Sequence, residues 1–592
     1  MFTMTDMVKR IFILVHRLLK SIVLSRRIVR LLLTYSIFSA TLEPGFCSQE
    51  PVYLKGFPLE FENHYRAIYH GASTVVSNFD RSGSMEIFFA LHKPDNTKLY
   101  LVHSDGSFAE NWPVNLFNTR VPPAIAAGDI DNDGFLDAVV RAESLYVFSH
   151  DGILLPGFPV NIYHEHLPFV AIYDLDADGS LEIITVGNNR LYVLNSIGIV
   201  KSGWPVTLPG NWNEVFVPPP AIGNIDSDPE AEIVAVSAYC FGSGVCDSSY
   251  IHIFNHNGSY APGWPVKMDS GYTFYSQSPT ILPGNSNSIV LVNSALYFPP
   301  NFDSTRTKTS VYKGNGSLVS EVFTTSFGEC SSIPVSVKNA DTLLAFGSEP
   351  LSLFISNRTN NTMLSLIGNG YYYNSPAVLE LYSKTYFTSY LRTIDLSLRC
   401  SVYFYDEKGQ QAEWSPLRPI GIPAASLSVA DLNYDGQTEA VMLTNLTSNN
   451  TPKSILHVWT FPESHYNIGK AYWPMYGHDR FRTFQYSFVP PDEPVNIIPL
   501  SSSVPEKNSL HQNFPNPFNT TTNITFEIAE ISNVQIEMYD NSGKRMSSIV
   551  SRRFQPGVYK IPLNADGFSS GVYFIRMKVG EEIFGKKIMM IK

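Results

Sequence analysis

The chain has 592 residues, with 42 Lys and Arg against 53 Asp and Glu and a net charge of -11. Nucleic-acid binding rests on neutralising phosphates with basic side chains, so an acidic chain of this kind is a poor partner for nucleic acid. With 13% aromatic and only 16% charged residues, it reads as a soluble exported protein rich in strand formers.

Residues 1–48 differ from everything after them. Lys9, Arg10, Arg17, Lys20, Arg26, Arg27 and Arg30 punctuate apolar runs, and the last run, Leu31 to Ala40, is too short to span a bilayer. This predicts a secretory signal peptide with a basic leader, cleaved near Cys47 to Gln49. The leader carries seven Lys/Arg against Asp6 and Glu43, so its removal takes the net charge from -11 to -16.

From 51 to 480 the chain repeats. The best-formed copy runs Gly128-Asp129-Ile130-Asp131-Asn132-Asp133-Gly134-Phe135-Leu136-Asp137 into Ala138-Val139-Val140. Carboxylates at positions one, three, five and nine with glycine at six suit calcium, which takes six to eight hard oxygens in a flexible shell. Asp129, Asp131, Asp133 and Asp137 are the expected side-chain ligands, with the Phe135 carbonyl between them. The loop is shorter than an EF-hand and is flanked by strand formers, so the EF-hand reading fails. Copies recur at Asp174 to Glu182, Asn224 to Glu232 and Asp431 to Glu439, with a weaker one at Asn78 to Glu86.

Each unit reads as four strands. A small apolar strand enters the acidic loop, two alternating strands follow, and a turn such as Asp105-Gly106, Asp151-Gly152, Ile197-Gly198, Asn257-Gly258, Asn315-Gly316 or Lys408-Gly409 leads to the last. These turns predict tight two-residue hairpins. The last strand carries an aromatic-Pro pair, as in Trp112-Pro113, Phe158-Pro159, Trp204-Pro205, Trp264-Pro265 and Trp473-Pro474, and proline belongs on an outer edge. About 50 residues per four-stranded unit predicts an all-β seven- or eight-bladed β-propeller, with eight favoured once the degenerate units at 277–320, 331–365 and 374–420 are counted. Gly56-Phe57-Pro58-Leu59 resembles an outer strand with no unit before it, so it is expected to close the ring against the final blade. Cys240 and Cys246 flank a hairpin loop and could form a disulfide in an oxidising compartment; Cys330 and Cys400 read as buried thiols.

The Asp-rich loops and Gly-aromatic-Pro strands resemble the FG-GAP repeats of integrin-type propellers. The resemblance implies one structural Ca2+ per well-formed blade. Its ligands would be Asp129, Asp131, Asp133 and Asp137; Asp174, Asp176, Asp178 and Glu182; and Asp431, Asn433, Asp435 and Glu439. A fourth set is Asn224, Asp226, Asp228 and Glu232, where Pro229 replaces the glycine. Asp80-Arg81-Ser82-Gly83-Ser84 also spells the metal motif of von Willebrand A domains, but it falls in phase with the other loops and no αβ alternation follows. Converging buried carboxylates repel unless neutralised, so such ions would staple the blades rather than catalyse. His164-Glu165-His166 lacks the spacing of a helical zinc site, and no Gly-x-Ser-x-Gly elbow or phosphate loop is present. Tyr275 and Tyr371-Tyr372-Tyr373 read as strand aromatics more readily than as a sugar platform.

Residues 481–506, rich in Pro and Ser, read as a linker. The last segment, 507–592, opens with Asn513-Phe514-Pro515-Asn516-Pro517-Phe518-Asn519, and its period-two strands predict a small Ig-like sandwich. That opening, the Ser570-Gly571-Val572-Tyr573-Phe574 strand and the Lys586-Lys587-Ile588-Met589-Met590-Ile591-Lys592 end resemble the C-terminal sorting domain of the type IX secretion system. The resemblance implies export through the type IX machinery to the outer-membrane surface or the medium. The functional expectation is a monomeric, non-enzymatic adhesion or binding protein for an extracellular polysaccharide or surface protein. The alternative is a carbohydrate-active enzyme such as a polysaccharide lyase.

Overall fold

The structure is a computed structural model. It describes residues 50–591 apart from 63–73, 163–167, 210–217, 283–287, 297–305, 325–332, 337–341, 358–362, 368–376, 393–399, 467–474, 484–497 and breaks of four residues or fewer. The expected leader, His164-Glu165-His166, Tyr275, Tyr371-Tyr372-Tyr373 and Cys330 lie outside the described residues.

Every named element is a strand, and they form small antiparallel sheets in chain order. Among the described residues between 52 and 461 there are eight. Sheet 1 is Val75–Ser77, Glu86–Lys93, Asn96–His103 and Val114–Phe117; sheet 2 is Ala124–Gly128, Asp137–Arg141, Ser144–Phe148 and Val160–Asn161. Sheet 3 is Val170–Tyr173, Glu182–Gly187, Arg190–Leu194 and Val206–Thr207; sheet 4 is Ala221–Gly223, Glu232–Phe241, Val245–Phe254 and Val266–Lys267. Sheets 5, 6 and 7 contain Thr280–Leu282, Ile333–Ser336 and Val378–Leu381, so each degenerate stretch builds its own sheet. Sheet 8 contains Ser428–Ala430, Thr438–Ser448 and Thr451–Phe461.

The middle strands are apolar on both faces because both faces are covered. In sheet 8, Ala440 and Met442 pack with Leu379 and Phe404 of sheet 7. Val441 and Leu443 alternate to the other face and pack with Val76, Ile87 and Phe89 of sheet 1. Sheet 1 packs in turn on sheet 2 through Phe88 and Val140, and sheet 2 on sheet 3 through Val139 and Ile183. The N-terminal segment completes sheet 8: Leu59–Glu62 pairs with its last strand, Leu59 opposite Leu456, as the sequence led us to expect.

Two sequence expectations change. The hairpin turns are not two-residue loops. Gly106 N donates to His103 O at 3.0 Å and His103 N to Ser107 O at 2.8 Å, and of the turn residues only Gly106 has positive φ, at 86°. This is a type I turn closed by a glycine bulge. The aromatic-Pro pairs of sheets 1 to 4 also lie outside the edge strands, in the turns that precede Val114, Val160, Val206 and Val266, while Trp473-Pro474 lies outside the described residues. Their role is contact between sheets. A Cβ on Gly203, φ 87°, would stand 2.0 Å from Asn257 O in the turn of sheet 4, and Trp204 Nε1 donates to His256 O at 2.9 Å. Trp112 and Trp264 make the same bond to His150 O and Gly314 O of the next sheet. Gly56 abuts Asp105 O of sheet 1 in the same way, so the N-terminal segment copies this contact between sheets 8 and 1.

Beyond the last sheet, Arg482 is buried. Its Nε donates to Ile125 O at 3.1 Å and Nη2 to Thr74 O at 3.3 Å, while Thr483 O accepts Ile222 N at 2.7 Å. This stretch, expected as the start of a linker, therefore ties together the first strands of sheets 1, 2 and 4.

The C-terminal segment forms two four-stranded sheets. One contains Thr521–Ile528 and Gly557–Asn564, the other Ser532–Tyr539, Gly571–Val579 and Glu582–Met590, and Phe526, Ile561, Ile536 and Ile575 share one core. The first sheet extends to Ile498–Ser501, paired with Gly557–Asn564, so part of the expected linker belongs to it. The Asn513 to Asn519 opening runs against the final strand: Phe518 N donates to Met589 O at 3.0 Å and Met589 N to Asn516 Oδ1 at 2.9 Å.

Candidate metal centres

Five loops join the first and second strands of their sheets, and each is closed by one repeated bond. The acid at position nine turns back to accept the backbone N–H of position two. The pairs are Glu86 with Phe79 (2.7 Å), Asp137 with Ile130 (2.7 Å), Glu182 with Leu175 (2.8 Å), Glu232 with Ile225 (2.7 Å) and Glu439 with Leu432 (2.8 Å). All five acids are buried. The weak copies at Asn78 and Asn224 thus share the scaffold of the strong ones.

Position one closes the turn. Asp129, Asp174 and Asp431 each accept the N–H of the glycine at position six, Gly134, Gly179 and Gly436, at 2.9–3.0 Å. These glycines have φ of 85–95°, a conformation that a side chain disfavours. Asp131, Asp226 and Asn433, at position three, accept the N–H of position five at 2.9–3.1 Å. A backbone bond therefore orients one oxygen of Asp129, Asp137 and Asp431 and leaves the second oxygen of each without a hydrogen bond, whereas both oxygens of Asp174 accept loop N–H groups, from Asp178 and Gly179.

Those second oxygens are the unusual feature. Asp129 Oδ1, Asp137 Oδ1, Asp176 Oδ1 and Asp431 Oδ1 are buried with no hydrogen-bond partner, although a buried carboxylate ordinarily has one. Ligand atoms of Asp129, Asp131 and Asp137 lie within 4.8 Å of one another, as do those of Asp174, Asp176 and Glu182 and those of Asp226, Asp228 and Glu232. Hard oxygens converging at this spacing suit a cation of the calcium type, and residues at positions one, three and nine, or three, five and nine in the Asn224 to Glu232 loop, could hold it. Asp133 and Asp178, expected as position-five ligands, fall outside the groups of their loops; each, like Asp435, accepts the N–H two residues on, at 2.7–2.8 Å. In the fourth set Asn224 Nδ2 donates to Asp228 O.

The loops are electrostatically unfavourable as they stand. Burial, the largest cause, pushes Asp137 up to about 8, with Asp131, Asp129 and Asp133 adding to it and the Ile130 N–H opposing. Burial likewise carries Glu439 to about 8, Glu232 to about 7, and Asp129 and Asp431 to about 6. Positive charge is supplied unevenly. Arg81, from the sheet 1 loop, lies over the Phe135 ring at 5.7 Å, where its charge favours ionised Asp129. His103 Nδ1 stands 3.3 Å from Glu86 Oε1, and Asp80 completes a group of three with them. Lys201 Nζ is 2.6 Å from both Asp176 and Glu182. Sequence reasoning missed Arg81, His103 and Lys201 as partners of these acids, because each arrives from outside the nine residues of the loop it serves.

The buried histidines are held by hydroxyl groups. His252 bonds Ser237 and Tyr260, and His457 bonds Thr444 and Tyr53; burial pulls both rings down to about 4.

Family comparison finds an FG-GAP-like repeat at residues 78–140 and a secretion system C-terminal sorting domain at residues 512–592. The sorting domain points to handling by the type IX secretion machinery and to secretion or a cell-surface location. No curated protein matches the chain in sequence. Among solved structures, the V. cholerae biofilm matrix protein Bap1 is 11% identical with a TM-score of 0.36, over 72% of this chain and 94% of that one. BBS1N, solved in complex with ARL6DN, is 12% identical with a TM-score of 0.36, over 70% and 98%.

Proposed function

We propose that this chain, which carries an FG-GAP-like repeat and a type IX sorting domain, is an exported eight-bladed propeller stapled by calcium and followed by an Ig-like sorting sandwich. It acts outside the cell as a non-enzymatic binding protein for a polysaccharide or a surface protein. The observation that carries the calcium reading is the set of buried, unpartnered oxygens on Asp129, Asp137 and Asp431. An isolated buried charge is costly, and a divalent ion held by the converging carboxylates of one loop turns that cost into folding energy. Eight sheets, with sheet 8 packed on sheet 1, support a closed ring.

Two experiments test this. The mature chain is incubated in calcium with a panel of acidic and neutral polysaccharides, following retention and new chain ends. Retention without product is the expected result; product formation makes the protein an enzyme. Export is tested by truncation before Ile498, since Ile498–Ser501 belongs to the sorting sheets. The truncated chain should accumulate in the periplasm, and its normal export would overturn the sorting role.

A further inference from the structure

One position distinguishes sheet 3 from its sisters. Three residues after each turn glycine, a backbone N–H returns to the third strand: Ala109 to Leu101 O, Leu155 to Val147 O, Lys201 to Val193 O, Ala261 to Ile253 O and Ala412 to Phe404 O, all at 2.8–3.0 Å. The position is therefore structurally equivalent in five sheets. Ala109, Leu155, Ala261 and Ala412 are buried apolar residues there. In sheet 3 the residue is Lys201, whose Nζ reaches Asp176 Oδ2 and Glu182 Oε1, each at 2.6 Å.

Asp176 and Glu182 are positions three and nine of their loop. In sheet 2 the same positions are Asp131 and Asp137, and there the apolar Leu155 supplies no charge. An ammonium group bonded to two of the oxygens that a divalent ion would need competes with that ion twice. It occupies their lone pairs, and it places a like charge within a few ångströms of the ion's position, where solvent screens the repulsion poorly.

We propose that Lys201 is the built-in cation of the Asp174 to Glu182 loop, so that sheet 3 holds its loop without calcium while the Asp129 and Asp431 loops take the ion. The backbone position that carries a buried apolar side chain in the sister sheets here carries a lysine, and its head group joins two acids that would otherwise repel. The inference rests on the calcium reading of the sister loops, and it divides the repeats into ion-loaded and self-neutralised units.

The test compares the mature chain with its Lys201→Met, Asp174→Asn and Asp129→Asn variants, measuring bound calcium by equilibrium dialysis and melting in EDTA and in calcium. K201M should bind one calcium more per chain than wild type. It should melt below wild type in EDTA and recover in calcium. D174N should leave the wild-type calcium count unchanged, whereas D129N should lower it by one. A count that falls by one in D174N overturns the proposal, as does a K201M variant unchanged in both count and EDTA melt. If wild type binds no calcium, the reading of the sister loops fails, and the EDTA melt of K201M still decides the lysine: a drop supports its role and no change ends it.

Discussion

Asp137→Asn separates the metal account from ordinary packing, because the account requires the substitution to change sign with calcium. Asp137 is 1% exposed; its Oδ2 accepts Ile130 N at 2.7 Å, and its Oδ1 has no partner. Asparagine has the same shape and keeps an oxygen for Ile130, but it loses the charge that burial and three neighbouring acids oppose. In EDTA at pH 8 the variant should therefore melt at or above wild type. In about 10 mM calcium, with a dissociation constant of about 0.1–1 mM as in extracellular modules, one site adds about 1.4–2.7 kcal/mol by linkage. For a region of about 430 residues the unfolding entropy is about 0.9 kcal/mol/K, so the wild type should gain about 2–3 °C that the variant lacks. The assay is a calorimetric melt of both proteins in both buffers. Curves that shift equally in EDTA and calcium would refute the reasoning, since they would mean that Asp137 acts only through packing.

The same carboxylates set a pH dependence. Asp129, Asp431, Glu232, Asp137 and Glu439 are raised in the fold to between about 6 and about 8, above unfolded values near 4. Their contribution is fully present below about pH 4 and lost as pH rises through 6 to 8. Melting in EDTA should therefore fall over that window, and calcium, which needs ionised ligands, should abolish the fall; a flat EDTA profile would count against it. Arg482→Ala removes charged bonds to Ile125 O and Thr74 O and should cost on the order of 3 kcal/mol in urea unfolding, while an effect within error would free these sheets from the segment. Cys240 and Cys246 face each other in register, and directly opposed residues stand at a Cα spacing that a disulfide accepts. Neither should react with iodoacetamide in denatured, unreduced protein; labelling of both would rule out the bridge.

The loops and the repeat were legible because each lies within a few consecutive residues. The spacing of Asp129, Asp131 and Asp137 fixes a loop whatever surrounds it, and Gly56-Phe57-Pro58-Leu59 announced its partner by copying a strand seen elsewhere. What the sequence hid was contact between distant segments. Gly203 and Trp204 look like a strand mark until Asn257 and His256 are seen against them. Lys201 lies 19 residues from Glu182, and nothing in local spacing ties it to the acid. Arg482 looked like the start of a linker because its acceptors are backbone carbonyls, which carry no residue signature. Asp133 and Asp178, expected as ligands by position, each use one oxygen to accept a loop N–H, a bond that the spacing of the acids does not announce.

The claim most worth testing directly is that calcium staples the propeller. A melt of the mature chain in EDTA and in about 10 mM calcium should show a rise of about 3–6 °C if the Asp129 and Asp431 loops each bind an ion at the affinity assumed above; coincident melts would contradict the account.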